Sequence, residues 1–112
     1  MKIYHNPRCR KSREGVQYLT DKKINFEIFD YLKEGVSEDD IKSILKKLNM
    51  SAIELVRKNE KIWKDNFKGK ELKEEQIISI LCEEPKLIER PIIVHKNKAV
   101  IGRPKENIDN LL

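Results

Sequence analysis

The sequence predicts an α/β fold with a mixed sheet, built as a βαβ unit, an inserted helical region and a closing ββα unit. Three observations predict it. Residues 2–32 pass from a strand-like run through a helical period into an alternating run. Residues 37–84 carry helical periods on either side of an aperiodic stretch, and residues 90–112 read as a hairpin followed by a helix. A chain of 112 residues can bury one core but not two independent ones, so a single domain over 1–112 is expected, with the helical insert at about 33–88.

The elements follow in order. "KIYH" is a short strand, and "NPRC" after it is turn chemistry, because Pro7 has no backbone N–H to donate. From Arg10 the period becomes helical, with Val16, Tyr18 and Leu19 inward and Arg13, Glu14 and Gln17 toward solvent. "INFEIFDYL" alternates Ile24, Phe26 and Ile28 with Asn25 and Glu27, as a half-buried strand does. A strand, a helix and a strand within about 30 residues form a βαβ unit with parallel strands.

The middle is helical and polar. "SEDDIKSILKKL" has Ser37 as N-cap, acids in its first turn, and Ile41, Ile44, Leu45 and Leu48 on one face. "SAIELVRKN" reads as a short helix capped by Ser51. "EKIWKDNFKGKEL" has no sustained period and is expected as a surface excursion with Trp63 and Phe67 turned back to the core. "KEEQIISILCEEP" is a helix stopped by Pro85. Two apolar runs around "HKNK" make the hairpin, with His95 expected to face water, and "KENIDNLL" closes as a helix.

Composition narrows the function classes. Hydrophobic and charged residues each make up 38% of the chain, so a core is surrounded by a surface dense in charge. No apolar run approaches the roughly 20 residues of a membrane span, and "MKIYHNPRC" lacks the apolar segment of a signal peptide. A cytoplasmic location is expected. The net charge of +5 is spread among interspersed acids and bases rather than gathered in a patch, so no nucleic-acid partner is expected. Cys9 and Cys82 are expected as free thiols in a reducing compartment, with Cys82 a buried core residue. His5 and His95 have no metal-ligand spacing, so no metal is expected.

Cys9 is the candidate for chemistry. A thiol is nucleophilic only as thiolate, and an ordinary one near pKa ~8.5 is only slightly ionised at neutral pH. Cys9 stands just before a helix, where unpaired backbone N–H groups and the positive end of the helix dipole favour an anion. Arg8, Arg10 and Lys11 add charge, Ser12 can donate a hydrogen bond, and His5 ends the strand below. The same features suit an oxyanion. From these local residues alone, an inert small cysteine at a helix start is an equally good reading. Ser12 stands where a Cys-x-x-Cys motif has its second thiol, which excludes dithiol exchange within the loop.

Taken together, "YHNPRCRKSR", "ELVRKN", "ERPIIV" and "GRPKENI" resemble the glutaredoxin-dependent arsenate reductase family, in the same order and over nearly the full length. The resemblance implies a thioredoxin-like fold and a monothiol oxidoreductase. In it Cys9 is the nucleophile that attacks arsenate, and His5 and Ser12 favour its thiolate. Arg57, Arg90 and Arg103 bind the oxyanion, and Pro91 takes the place of a cis-proline. Glutathione then acts as co-substrate and glutaredoxin as partner, with no bound cofactor, and a monomer is expected. Forked guanidinium donors from separate segments suit a tetrahedral oxyanion whose charge is spread over several oxygens.

Two other functions share the scaffold. One is an Spx-type redox regulator that binds RNA polymerase, against which stand Ser12 in place of a second cysteine and the retained arginines. The other is a glutathione-linked thiol oxidoreductase of a different substrate, favoured by Arg10 and Lys11, where arsenate reductases of this type carry small residues.

Overall fold

A computed structural model describes all of residues 1–112, which form two compact units, Met1–Gly35 with Arg90–Leu112, and Val36–Glu89. In the first unit, strand β1 (Lys2–Tyr4) leads through the Cys9 loop into helix α1 (Arg10–Asp21) and then strand β2 (Glu27–Phe29). Helix α2 (Tyr31–Glu34) follows; strands β3 (Ile92–His95) and β4 (Lys98–Ile101) complete a four-stranded sheet of order β2-β1-β3-β4. β1 and β2 run parallel, pairing Ile3 with Ile28, whereas β3 is antiparallel to both β1 and β4. The sheet is mixed, and its order follows from one helical crossover and one hairpin.

One core of this unit gathers Ile3, Leu19, Ile93, Ile108 and Leu111, flanked by Val16, Tyr18, Ile24 and Phe26. The deeply buried positions of α1 are Ser12, Gly15 and Leu19, a helical stripe shifted from the expected one, with Val16 and Tyr18 on its shoulders. Small residues are required there. A Cβ at Gly15 would meet the Pro91 ring at 3.0 Å and Ile3 at 3.4 Å.

Several local expectations need correction. β2 is only three residues long, and Ile28 is 51% exposed, because the strand lies at the sheet edge where the core no longer covers it. The chain then turns helical at Tyr31, since the Asp30 carboxylate accepts the Lys33 N–H and caps the turn. The final segment, Lys105–Leu111, is a 3-10 helix rather than an α-helix. His95 ends β3 opposite Lys98 and is half-buried instead of free in the turn, which Lys96 and Asn97 make.

The second unit holds α3 (Glu38–Leu48), a 3-10 turn at Ala52–Leu55, α4 (Lys61–Asn66), α5 (Glu74–Glu83) and a 3-10 turn at Pro85–Leu87. Ser37 caps α3 reciprocally with Asp40, through bonds of 3.0 and 3.1 Å. Ile41, Ile44 and Leu45 of α3 and Ile77, Ile78, Ile80 and Leu81 of α5 are its buried apolar faces. α4 was expected as irregular chain; its six residues are too few for a period to show, and a Lys61–Asp65 contact of 2.9 Å supports it. Trp63 is buried as expected. Cys82 is half-buried rather than core, and burial together with Glu38, Asp40 and Glu83 raises its pKa. No helix is long and apolar enough to cross a membrane.

Candidate functional site

The first unit brings the Cys9 loop and Arg90 together. The Arg90 Nε donates to the Cys9 Sγ at 3.0 Å, joining residues 81 apart in sequence, and Cys9 is only 8% exposed. Cys9 is the N-cap of α1, in extended backbone, with its N–H donated to the Asn6 carbonyl. Burial alone would push its thiol upward. Ser12 N–H, the Arg90 hydrogen bond and charge, and Lys11 N–H outweigh burial and hold the pKa below the ordinary value. Neither N–H makes a well-formed capping bond to the sulfur, so their pull is that of aligned helix-start dipoles.

The loop is held from beneath. Ser12 is fully buried; its Oγ accepts the Asn6 N–H at 2.9 Å and lies 2.8 Å from His5 Nδ1. Burial holds the His5 pKa below its ordinary value, so His5 is neutral at neutral pH. The Arg13 guanidinium reaches back to the Pro7 carbonyl at 2.9 Å, and the Asn6 side chain accepts the Arg8 N–H at 3.0 Å. The Arg90–Pro91 peptide is cis, as the resemblance implied for Pro91, and Arg103–Pro104 is cis as well.

Three expected site residues sit differently from expectation. Arg10 is directed to Glu14 at 3.5 Å with its side chain 85% exposed. The helix turn carries its side chain outward, so Arg90 supplies the charge in its place. His5 and the Ser12 hydroxyl face each other rather than the sulfur, with His5 Nδ1 at 2.8 Å and the Asn6 N–H at 2.9 Å as the partners of Ser12 Oγ. They therefore position the loop, and Ser12 acts on the thiol through its backbone.

Arg103 is exposed with its guanidinium unpaired. Arg57 belongs to the second unit, where Glu60 at 2.8 Å and the Lys86 carbonyl at 3.1 Å orient it. What sequence reasoning missed is the clamp by Arg13 and the frame made by Asn6. A basic residue one turn into α1 and an Asx side chain before proline were the available signals. No group of three or more His, Cys, Asp or Glu side chains is placed to hold a metal ion.

The ArsC family model matches residues 4–111. The chain belongs to the ArsC family. A protein from Escherichia coli K12 called YfgD, uncharacterised, is 43% identical over 110 residues, covering 96% of this chain and 92% of that one. An arsenate reductase from Haemophilus influenzae is 37% identical over 98% of this chain and 97% of its own. The solved arsenate reductase of Vibrio cholerae superposes with a TM-score of 0.94 at 34% identity, covering 100% of this chain and 98% of that one. The α/β fold is thus the thioredoxin-like fold of the ArsC arsenate reductases.

Proposed function

We propose that this ArsC-family protein is a monothiol arsenate reductase. The observation that carries the reading is the Arg90 Nε–Cys9 Sγ hydrogen bond of 3.0 Å, which joins a stabilised thiolate to a guanidinium. A cation beside the sulfur both favours the nucleophile and offsets the charge of an approaching oxyanion. Relatives named arsenate reductases over nearly the full chain support the substrate class.

In this reaction the Cys9 thiolate forms a sulfur–arsenic bond and one arsenate oxygen leaves as water. Two external thiols then supply the two electrons that take arsenic from the pentavalent to the trivalent state. They end as a disulfide, arsenite leaves, and Cys9 returns to thiolate. The loop holds one sulfur only, so the electrons come from outside; glutathione is the co-substrate and glutaredoxin the partner that returns the enzyme. Arg90 and Arg103 of the first unit are the oxyanion ligands. The protein works as a cytoplasmic monomer without bound cofactor or nucleic acid.

The test is arsenate-dependent NADPH consumption with glutathione, glutaredoxin and glutathione reductase, for native protein and Cys9→Ser. Turnover in the native protein alone is the expected result. Retained turnover in Cys9→Ser, or none in the native protein, overturns the reading.

A further inference from the structure

Arg103 follows the end of β4, and its exposed guanidinium has no partner in the chain to direct it. Its backbone is held on both sides instead. On one side the Gly102 N–H donates to the Pro91 carbonyl at 2.9 Å, which ties this segment to the residue after Arg90. The approach is close: a Cβ on Gly102 would meet Ile93 at 2.8 Å and the Pro91 ring at 3.1 Å.

On the other side stands Asn107. Its carboxamide nitrogen carries two hydrogens, and it donates to the Ile101 carbonyl at 3.1 Å and to the Arg103 carbonyl at 3.2 Å. Its backbone N–H donates to the Pro104 carbonyl at 3.0 Å. Pro104 has no backbone N–H, so the turn is short of donors of its own. One residue thus takes up the carbonyls before, at and after Arg103.

Asn107 can do this because the core sets its own position. It stands next to Ile108, which is fully buried with Ile3, Leu19 and Ile93. The Tyr18 hydroxyl on α1 donates to the Asp109 carboxylate at 2.7 Å, a second tie from the same segment to α1. Lys105–Leu111 is therefore a fixed platform, and the Asn107 carboxamide is the strut from it to Arg103.

We propose that Asn107 is a positioning residue for oxyanion binding, whose carboxamide holds the Arg103 backbone so that the guanidinium reaches the anion held by Arg90. The inference rests on the reading of Arg103 as an oxyanion ligand. An unpaired arginine loses side-chain freedom when it captures an anion, and fixing its backbone beforehand reduces that cost.

The test reads anion binding apart from turnover. In a Cys82→Ser background, the arsenate concentration that halves iodoacetamide alkylation of Cys9 is measured against each variant's own unprotected rate. Arg103→Ala is expected to raise that concentration about tenfold, a charge-assisted bond discounted for solvent. Asn107→Ala should raise it about threefold, the scale of ordering one side chain. The double variant should stay at about tenfold, where independent effects would multiply to about thirtyfold. Asn107→Ser, too short to span both carbonyls, should show the same non-additivity and serves if Asn107→Ala does not fold.

A loss of about thirtyfold in the double variant overturns the inference, because Asn107 would then act on the fold and not through Arg103. Unaltered protection in the Asn107 variants overturns it too, as does failure of arsenate to protect the native protein. Arsenate turnover that persists beside such results leaves the reductase reading standing. If protection depends on Asn107 through Arg103 while turnover is absent, the positioning role stands and only the reductase reading falls.

Discussion

Arg90→Met isolates the contact on which the proposed chemistry depends. Methionine keeps an unbranched stem of similar reach but removes the charge and the Nε donor that lies 3.0 Å from the Cys9 sulfur. A hydrogen bond to a charged group contributes about 1.5–3 kcal/mol. Arg90 is half-buried, so solvent screens part of this, and about 1.4 kcal/mol, or about tenfold in an equilibrium, is the working figure. The thiolate fraction at neutral pH should fall by about that factor. Loss of the donor raises the thiol pKa, so the deficit closes at strongly alkaline pH, where both proteins are ionised. The assay is the rate of iodoacetamide alkylation against pH in a Cys82→Ser background. An unchanged rate at neutral pH would refute the assignment of Arg90 as the group that stabilises Cys9. A loss that persists at high pH would refute the electrostatic cause.

Two further outcomes follow from the frame beneath the loop. Ser12→Ala leaves the Asn6 N–H without its acceptor and His5 without its partner, at a cost of about 1–3 kcal/mol in urea unfolding. The backbone N–H at residue 12 remains, so alkylation should slow less than in Arg90→Met; an equal loss would assign the hydroxyl a direct role on the sulfur. Burial holds the His5 pKa below its ordinary 6.5, so the unfolded chain binds this proton more readily than the folded one. Its contribution to stability is complete above pH 6.5 and is lost as pH falls through the lower folded-state value. The urea midpoint should therefore decline on acidification more steeply in the native protein than in His5→Gln, and equal slopes would contradict this.

Long or strongly patterned elements were legible in the chain. The capped period from Ser37 to Leu48 corresponds to α3, and the hairpin signal around "HKNK" to β3 and β4. Short elements were not. Three strand residues in β2 and six helical residues in α4 fall below the length at which a period separates from chance. The switch to helix at Tyr31 depends on a single carboxylate cap. The buried stripe of α1 was misjudged for a different reason, since Gly15 and Ser12 carry no hydrophobic signal. Their burial follows from the closeness of the Pro91 ring and from the polar partners of Ser12.

The sequence by itself determined the order of the longer elements, the lone sulfur at a helix start and the blocks that mark the ArsC family. The first two are properties of residue type and spacing, which local propensity and periodicity express directly; the blocks were legible as a resemblance to that family. Only the tertiary structure decided which cation serves Cys9. Arg8, Arg10 and Lys11 are nearer in sequence, yet the direction in which α1 leaves the loop turns Arg10 and Lys11 toward Glu14, each at 3.5 Å. Arg90 arrives instead from the segment entering β3, because β3 pairs with β1 and brings that segment beside the Cys9 loop. It likewise decided that His5 and Ser12 bond to each other rather than to the sulfur, since a buried hydroxyl must satisfy the groups packed around it.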